Sequence, residues 1–147
     1  MFKHLLVPTD GSKLSIKAVK RAVKLAKTLG AKITGFYATP DFSAAIYGDG
    51  YILRAPTASA QAKLEQENAR RVLSAIEVEA AVEKVACKVF YEVSDSPYEA
   101  IIAAANKKKC DLIVMASHGR RGLSALVLGS ETQKVLVHSK IPVLVCR

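Results

Sequence analysis

The 147-residue sequence predicts an α/β fold, a doubly wound five-stranded parallel sheet with helices on both faces. Short apolar runs alternate with longer segments of helical periodicity, which is typical of parallel strands joined by crossover helices. Right-handed crossovers then place helices on both faces of the sheet. Half of the residues are hydrophobic and 24% are charged, as in ordinary globular proteins, so a single domain over residues 1–147 is expected.

The first three elements follow from residues 2–38. Phe2–Val7 is a short apolar run and predicts a buried strand. Residues 10–12, Asp-Gly-Ser, indicate a turn and a helix start, and the helical spacing that follows ends at Gly30. Lys32–Ala38 is rich in β-forming residues and predicts the second strand.

The middle of the chain predicts a long connection, a long helix and a third strand. Thr39–Thr57 contains several Pro and Gly residues, and a connection of this length is typical of a mobile flap. The segment from Ser59 to about Ala81 is rich in Ala, Glu, Gln and Leu, which favour a helix. Val85–Val93 alternates as a strand does.

The last third begins with a strong helix start. Ser96 precedes a proline and Glu99 follows three residues later, so a capping box is expected. This helix ends at the three lysines that begin with Lys107. The remaining elements are a strand at Leu112–Met115, a helix at Ser130–His138 and a final strand at Pro142–Cys146.

Small and polar residues follow two of the predicted strands. Pro8, Thr9 and Asp10 follow the first strand, and Met115 and Ala116 end the fourth. In doubly wound sheets, ligands bind beyond the carboxyl ends of the strands, where the strand order reverses. The sequence therefore predicts a ligand crevice between these two strand ends.

The loop between Ala116 and Ser130 contains the parts of a phosphate-binding loop. It matches neither the dinucleotide GxGxxG pattern nor the P-loop, because Gly129 is followed by Ser and Glu instead of Lys. Gly119 and Gly122 would still let backbone N–H groups approach an anion. Taken singly, these glycines could also serve turns, and Ser130 could be a helix cap.

Two further features of this loop favour an anion. Arg120 and Arg121 bring positive charge beside the glycines. A helix starts at Gly129 and Ser130, so free N–H groups and the positive end of its dipole face the same region. Ser130 and Gln133 are expected to form a capping box.

The net charge of +9 is compatible with nucleic acid, an acidic membrane surface or an anionic small ligand. The basic residues are spread along the sequence, which favours a solvated surface, so nucleic acid is not expected as a partner. No apolar run approaches the ~20 residues of a membrane span, and no membrane partner is expected. Three cysteines without ligand spacing, Cys87, Cys110 and Cys146, predict reduced thiols in a cytoplasmic protein.

On these residues the sequence resembles the universal stress protein family. Its ATP-binding members share two spaced glycines and a final glycine followed by serine or threonine. That pattern falls here on Ala116, Gly119, Gly129 and Ser130, with alanine at the first glycine. The opening Leu-Leu-Val-Pro-Thr-Asp-Gly-Ser at residues 5–12 and the closing Ile-Pro-Val-Leu-Val also match the family.

The resemblance implies a Rossmann-like sheet in the order 3-2-1-4-5 and an ATP or AMP ligand, with Mg²⁺ as an accompanying ion. Asp10 would meet the adenosine, Ala38 the adenine, and Glu131 would lie on the phosphate side. Ala116 would weaken binding by about 1 kcal/mol if its position needs a positive φ, and otherwise only narrow the pocket. The expected ATP-binding residues are Pro8, Thr9, Asp10, Ala38, Met115, Ala116, His118, Gly119, Arg120, Gly122, Gly129, Ser130 and Glu131.

Three functions remain open at this point: a nucleotide-binding dimeric stress-response regulator, a nucleotide-free dimeric interaction module, and a slow ATPase or phosphoacceptor. Catalysis is not indicated, because Asp10, His118 and Ser130 show no nucleophile elbow and no oriented base. The C-terminal strand Val143–Cys146 is apolar on both faces and lies at the sheet edge in the implied order. Pairing of this strand with a second copy predicts a homodimer.

Overall fold

The computed structural model describes residues 1–41, 57–120 and 127–147. Within these ranges five strands alternate with four helices, and each element predicted from the sequence is present, with its ends displaced by at most two residues. The predicted flap falls mainly on residues 42–56, outside the described residues. The elements are β1 (His4–Pro8), α1 (Lys13–Leu29), β2 (Lys32–Thr39), α2 (Ala58–Val82), β3 (Cys87–Val93), α3 (Pro97–Lys107), β4 (Leu112–Ala116), α4 (Ser130–His138) and β5 (Val143–Cys146).

The five strands form one parallel sheet in the order β3-β2-β1-β4-β5. This confirms the predicted doubly wound α/β class and the predicted order. The chain builds outward from β1 to β2 and β3, returns through α3, and then builds outward on the other side through β4 and β5. The order therefore reverses between β1 and β4.

The two faces of the sheet carry separate aliphatic cores. Side chains alternate along β1, so Leu5 and Val7 face α1 and α2, whereas Leu6 faces α3 and α4. All three are fully buried. Phe36 and Ile113 complete the core on the side of Leu6.

Three helices are followed by a residue in the left-handed region, where a side chain is unfavourable. Gly30 after α1 has φ 63°, as the sequence predicts. The corresponding residues after α2 and α3 are Lys84 and Lys109, with φ 57° and 55°. A lysine costs about 1 kcal/mol at such a position, where glycine is free of strain.

The capping box predicted for α3 is wrong. Ser96 precedes the helix but makes no side-chain capping bond. Glu99 instead accepts a hydrogen bond from the hydroxyl of Tyr98 at 3.0 Å. The backbone N–H of Tyr98 donates to Oε2 of Glu131 at 2.9 Å, so a carboxylate from α4 takes the place of the local one.

The capping box predicted at Ser130 and Gln133 is also wrong. Ser130 is already the first helical residue of α4, and Gly129 occupies the cap position. The amide of Gln133 donates to the carbonyl of Leu128 at 2.8 Å. Among the described residues, no side chain caps the start of α4.

The C-terminal strand β5 lies at the edge of the sheet, as predicted, and its Leu144 is 43% exposed. Its last residue is tied to the end of β4, because the N–H of Ser117 donates to the carbonyl of Cys146 at 2.8 Å. None of the described helices has the length and apolarity needed to cross a bilayer.

The three cysteines are free thiols. Cys110 and Cys146 are buried and Cys87 is partly buried. Burial raises the pKa of Cys87 and of Cys110 to about 11, so both are protonated at neutral pH.

Candidate functional site

A cavity of about 470 Å³ opens at the carboxyl edge of the sheet, where β1 and β4 lie side by side. This is the point of order reversal, and the volume is in the range of small-molecule sites. Twelve of the thirteen predicted site residues line the cavity, while Gly122 lies outside the described residues. The twelve are Pro8, Thr9, Asp10, Ala38, Met115, Ala116, His118, Gly119, Arg120, Gly129, Ser130 and Glu131.

Sequence reasoning missed nine lining residues. Ser94 and Asp95 follow β3, an edge strand away from the order reversal, so the strand-end rule that identified Asp10 did not select them. Phe36 and Ile101 have the spacing of core residues and carry no distinguishing signal. The nine are Ser15, Phe36, Tyr37, Pro40, Ser94, Asp95, Pro97, Ile101 and Thr132.

The carboxylate of Asp10 joins two parts of the site. Oδ1 accepts the N–H of Ser12 at 2.9 Å, and Oδ2 accepts the N–H of Arg120 at 2.8 Å. Burial alone would raise the pKa of Asp10, but hydrogen bonds from Ser12, Arg120 and Ser15 outweigh it, and the pKa lies below its usual value. Asp10 is therefore a fixed negative charge that holds the start of the loop against the end of β1.

Two glycines of the site allow close contacts, Gly119 with Asp10 and Gly129 with His118. A Cβ on Gly119 would lie 2.3 Å from Oδ2 of Asp10, so only glycine leaves room for the bond to Arg120. A Cβ on Gly129 would lie 2.9 Å from both Cα and Cβ of His118. Neither glycine has a positive φ, so both are required by space and not by backbone conformation.

Of the four described helices, only α4 begins without a hydrogen bond from its first amides to a described side chain. Ser12 caps α1 and Thr57 caps α2 with their side chains, and Glu131 accepts the first N–H of α3. In α4 the first helical bond is from Gln133 to Gly129, so the amides of the three residues between them have no acceptor in the helix. Ser130 carries the first of these amides and lines the cavity. The free amides and the positive end of the α4 dipole therefore lie beside the cavity.

Two side chains fix the position of this helix end. Thr132 is buried, and its hydroxyl donates to the carbonyl of Ala116 at 3.0 Å. Glu131 contacts α3 through Tyr98 and also accepts from Lys134 at 3.1 Å. The start of α4 is therefore held to both β4 and α3.

The alanine at the first motif position fits the observed backbone. Ala116 is the last residue of β4 and does not have a positive φ. Its side chain is 7% exposed and belongs to the core shared with α1 and α2. The methyl group therefore adds no backbone strain and can only narrow the cavity.

Asp10, His118 and Ser130 do not form a hydrogen-bonded catalytic triad. Nδ1 of His118 bonds the hydroxyl of Ser117 at 3.2 Å, and Asp10 accepts from backbone amides. No hydrogen bond between triad members occurs in the described part of the chain. Among the described residues there is likewise no cluster of three or more His, Cys, Asp or Glu side chains placed to hold a metal.

A model of the universal stress protein family matches residues 1–147. The chain belongs to this family. Universal stress protein YxiE of Bacillus subtilis is 30% identical over the full length of both proteins. MJ0531 of Methanocaldococcus jannaschii is 30% identical, and the match covers this whole chain and 83% of MJ0531.

Solved structures of universal stress proteins share the fold. MJ0577 superposes with a TM-score of 0.78 at 25% identity and covers 99% of this chain and 95% of its own. A universal stress protein in complex with cAMP has a TM-score of 0.67 at 24% identity, with coverage of 99% and 97%. The Archaeoglobus fulgidus protein in complex with dAMP has a TM-score of 0.69 at 15% identity, with coverage of 100% and 98%.

Proposed function

We propose that this universal stress protein, as a single domain in the cytoplasm, binds an adenine nucleotide and acts as a dimeric stress-response regulator. The observation that carries the proposal is the uncapped start of α4 beside Gly119 in the cavity. Free amides and a positive dipole end favour a phosphate. The nucleotides bound by the cAMP and dAMP proteins of this fold suggest adenine as the base.

The charges of the lining orient the ligand. The phosphate would bind at Ser130, and the adenosine would extend toward Ala38 and Met115. Asp10 would accept a ribose hydroxyl, because its carboxylate is ionised and a hydroxyl can donate. The base would thus occupy the apolar part of the cavity.

The charges of the residues that line the cavity also affect how well ligands with one or three phosphates bind. The described lining includes the carboxylates of Asp10, Asp95 and Glu131 but only one guanidinium, that of Arg120. A triphosphate brings more negative charge than a monophosphate into this setting. We therefore expect ATP binding to depend on Mg²⁺ more strongly than AMP binding does.

Ser130→Pro tests the proposal with little disturbance of the helix. Proline is tolerated at the first position of a helix, and Gly129 before it has φ −61° and ψ 150°, which proline permits. The substitution removes one amide donor, worth about 1.4 kcal/mol or tenfold in affinity for a charged acceptor. Ser130→Ala is the matched control, since it removes the hydroxyl and keeps the N–H.

Isothermal titration with AMP, and with ATP with and without Mg²⁺, gives the readout. We expect the unchanged protein and Ser130→Ala to bind these nucleotides more tightly than Ser130→Pro does. No binding of any of these nucleotides by the unchanged protein would contradict the proposal and favour an interaction module. Equal affinities of Ser130→Pro and Ser130→Ala would contradict the proposal that the phosphate binds at the start of α4.

The dimer is proposed through β5. An apolar edge strand has unpaired backbone groups that a second copy can satisfy, and Leu144 is 43% exposed there. Light scattering at micromolar concentration should give twice the chain mass. Leu144→Lys should shift the mass to that of a monomer, and a monomeric unchanged protein would refute the dimer.

A further inference from the structure

The edge of the sheet opposite the cavity concentrates lysines, although they are dispersed in the sequence. This basic edge comprises the residues before β1, the last turn of each helix, the connection that follows it, and the first residue of each strand. Within the described residues it carries eight lysines and three carboxylates, those of Glu79, Glu83 and Asp111. The lysines, all exposed, are Lys3, Lys27, Lys32, Lys84, Lys107, Lys108, Lys109 and Lys140.

Most of this charge is not neutralised within the described part of the chain. Lys27 pairs with Glu83 at 2.5 Å, and Lys107 pairs with Glu92 at 3.0 Å. The carboxylate of Asp111 accepts the backbone amides of Lys3 and the residue after it, and it forms no ion pair with a described lysine. Six of the eight lysines on the basic edge therefore make no ion pair with a described residue.

Two of these lysines occupy positions where lysine is unfavourable. Lys84 and Lys109 have φ 57° and 55°, the left-handed conformation that Gly30 adopts in the equivalent connection after α1. Glycine would satisfy the backbone there without strain. Both lysines therefore add charge to the basic edge at a cost in folding stability.

Exposed apolar side chains lie at the end of α2. Val82 is the last residue of α2 and is 72% exposed, and Val78, one turn earlier, is 63% exposed. The described part of the basic edge contains no arginine and no exposed phenylalanine, tyrosine or tryptophan.

We propose that the basic edge is a docking surface for an anionic lipid bilayer. Unpaired lysines attract anionic headgroups, and each contributes to binding when it lies near the surface. The exposed valines at the end of α2 can enter the boundary between headgroups and acyl chains. The helices end and the strands begin together at this edge, so it can approach a flat surface as one face.

A nucleic acid fits this surface less well. Arginine forms bidentate contacts with phosphates and bases, and exposed aromatic side chains stack on bases. The described basic edge offers neither. The absence of a spanning helix led to the expectation of no membrane partner, but that absence does not bear on contact with a bilayer surface.

The double variant Lys84→Gly/Lys109→Gly separates binding from folding. It removes two charges from the basic edge and relieves two strained residues, so the protein should be at least as stable as before. The control Lys17→Gln/Lys20→Gln removes the same net charge from exposed residues in the middle of α1. Each lysine near the surface is expected to change vesicle affinity by about fivefold.

The assay is co-sedimentation with phosphatidylcholine vesicles, with and without phosphatidylglycerol, at low and high salt. We expect the protein to bind the anionic vesicles only, and salt should weaken this binding. The glycine variant should bind them roughly 30-fold more weakly, whereas the control variant should lose much less affinity. No binding to anionic vesicles at low salt would overturn the proposal. Equal losses in both variants would also overturn it, as would tighter binding to an RNA duplex than to the vesicles.

Discussion

The backbone N–H of Arg120 donates to the carboxylate of Asp10 at 2.8 Å, across 110 residues of sequence. This bond holds Arg120, shortly after β4, against the end of β1 at the point where the strand order reverses. The sequence resemblance assigns Asp10 to the adenosine, and the structure adds that the same carboxylate binds the backbone of Arg120. Changes at Asp10 should therefore affect both folding stability and the ligand.

Asp10→Asn is expected to lower stability by about 1 kcal/mol at neutral pH, because a charged acceptor of two amides becomes neutral. The pKa of Asp10 is lower in the folded state, so its ionised form favours folding. That contribution is complete above the unfolded pKa of about 3.9 and is lost as pH falls through the folded pKa.

Urea unfolding from pH 6 to 2 measures this contribution, and the stability of Asp10→Asn should fall less steeply with pH than that of the unchanged protein. The exposed Asp95→Asn serves as the control, and parallel curves for the unchanged protein and Asp10→Asn would contradict this role.

Gly119→Ala should act through the same bond. Its Cβ would lie 2.3 Å from Oδ2 of Asp10, so the carboxylate must move and release Arg120. We expect a loss of about 1.5 kcal/mol in stability and weaker AMP binding. Because both substitutions break one contact, the loss in the double variant with Asp10→Asn should be smaller than the sum. Additive losses in thermal or chemical unfolding would show that the contact is not shared.

Ala116→Gly should not improve the protein. Ala116 is buried in β4 without a positive φ, so glycine there adds flexibility and removes a buried methyl group. The expected cost is about 1–2 kcal/mol in stability. AMP affinity measured by titration should change by less than about threefold, which is under 1 kcal/mol. A tenfold gain in affinity would mean that the methyl group obstructs the ligand.

Lys84→Gly and Lys109→Gly should each stabilise the fold by about 0.5–1 kcal/mol, because they relieve left-handed strain but increase the entropy of the unfolded chain. Lys17→Gly is a control that should lower stability instead, because glycine in an exposed helix interior costs about 1 kcal/mol. Urea unfolding gives all three values. Destabilisation by either of the first two would show that the lysine side chain makes a contact stronger than the strain.

The fold could be predicted because its signals are local. Apolar runs, the turn at Gly11 and the helix stop at Gly30 each act within a few residues. The strand ends and the spacing of Gly119, Gly129 and Ser130 predicted residues that line one cavity in the structure.

The features that escaped prediction depend on residues distant in sequence. Glu131 replaced the predicted cap of α3 because α4 lies beside it only in the folded chain. The basic edge escaped for the same reason, since the lysines converge only when helix and strand ends meet. Lys84 was missed because a left-handed lysine has no sequence signal.

Cys146 ends the edge strand β5, and its carbonyl accepts the N–H of Ser117, the first residue after β4. Ser117 in turn accepts the N–H of Gly129, at the start of α4. The proposed subunit contact and the proposed phosphate position are thus two hydrogen bonds apart. Any effect of nucleotide on self-association must then be matched by an equal effect of self-association on nucleotide affinity. Such a protein would respond to its own abundance as well as to its ligand, and dilution alone would change the nucleotide level at which it is half saturated.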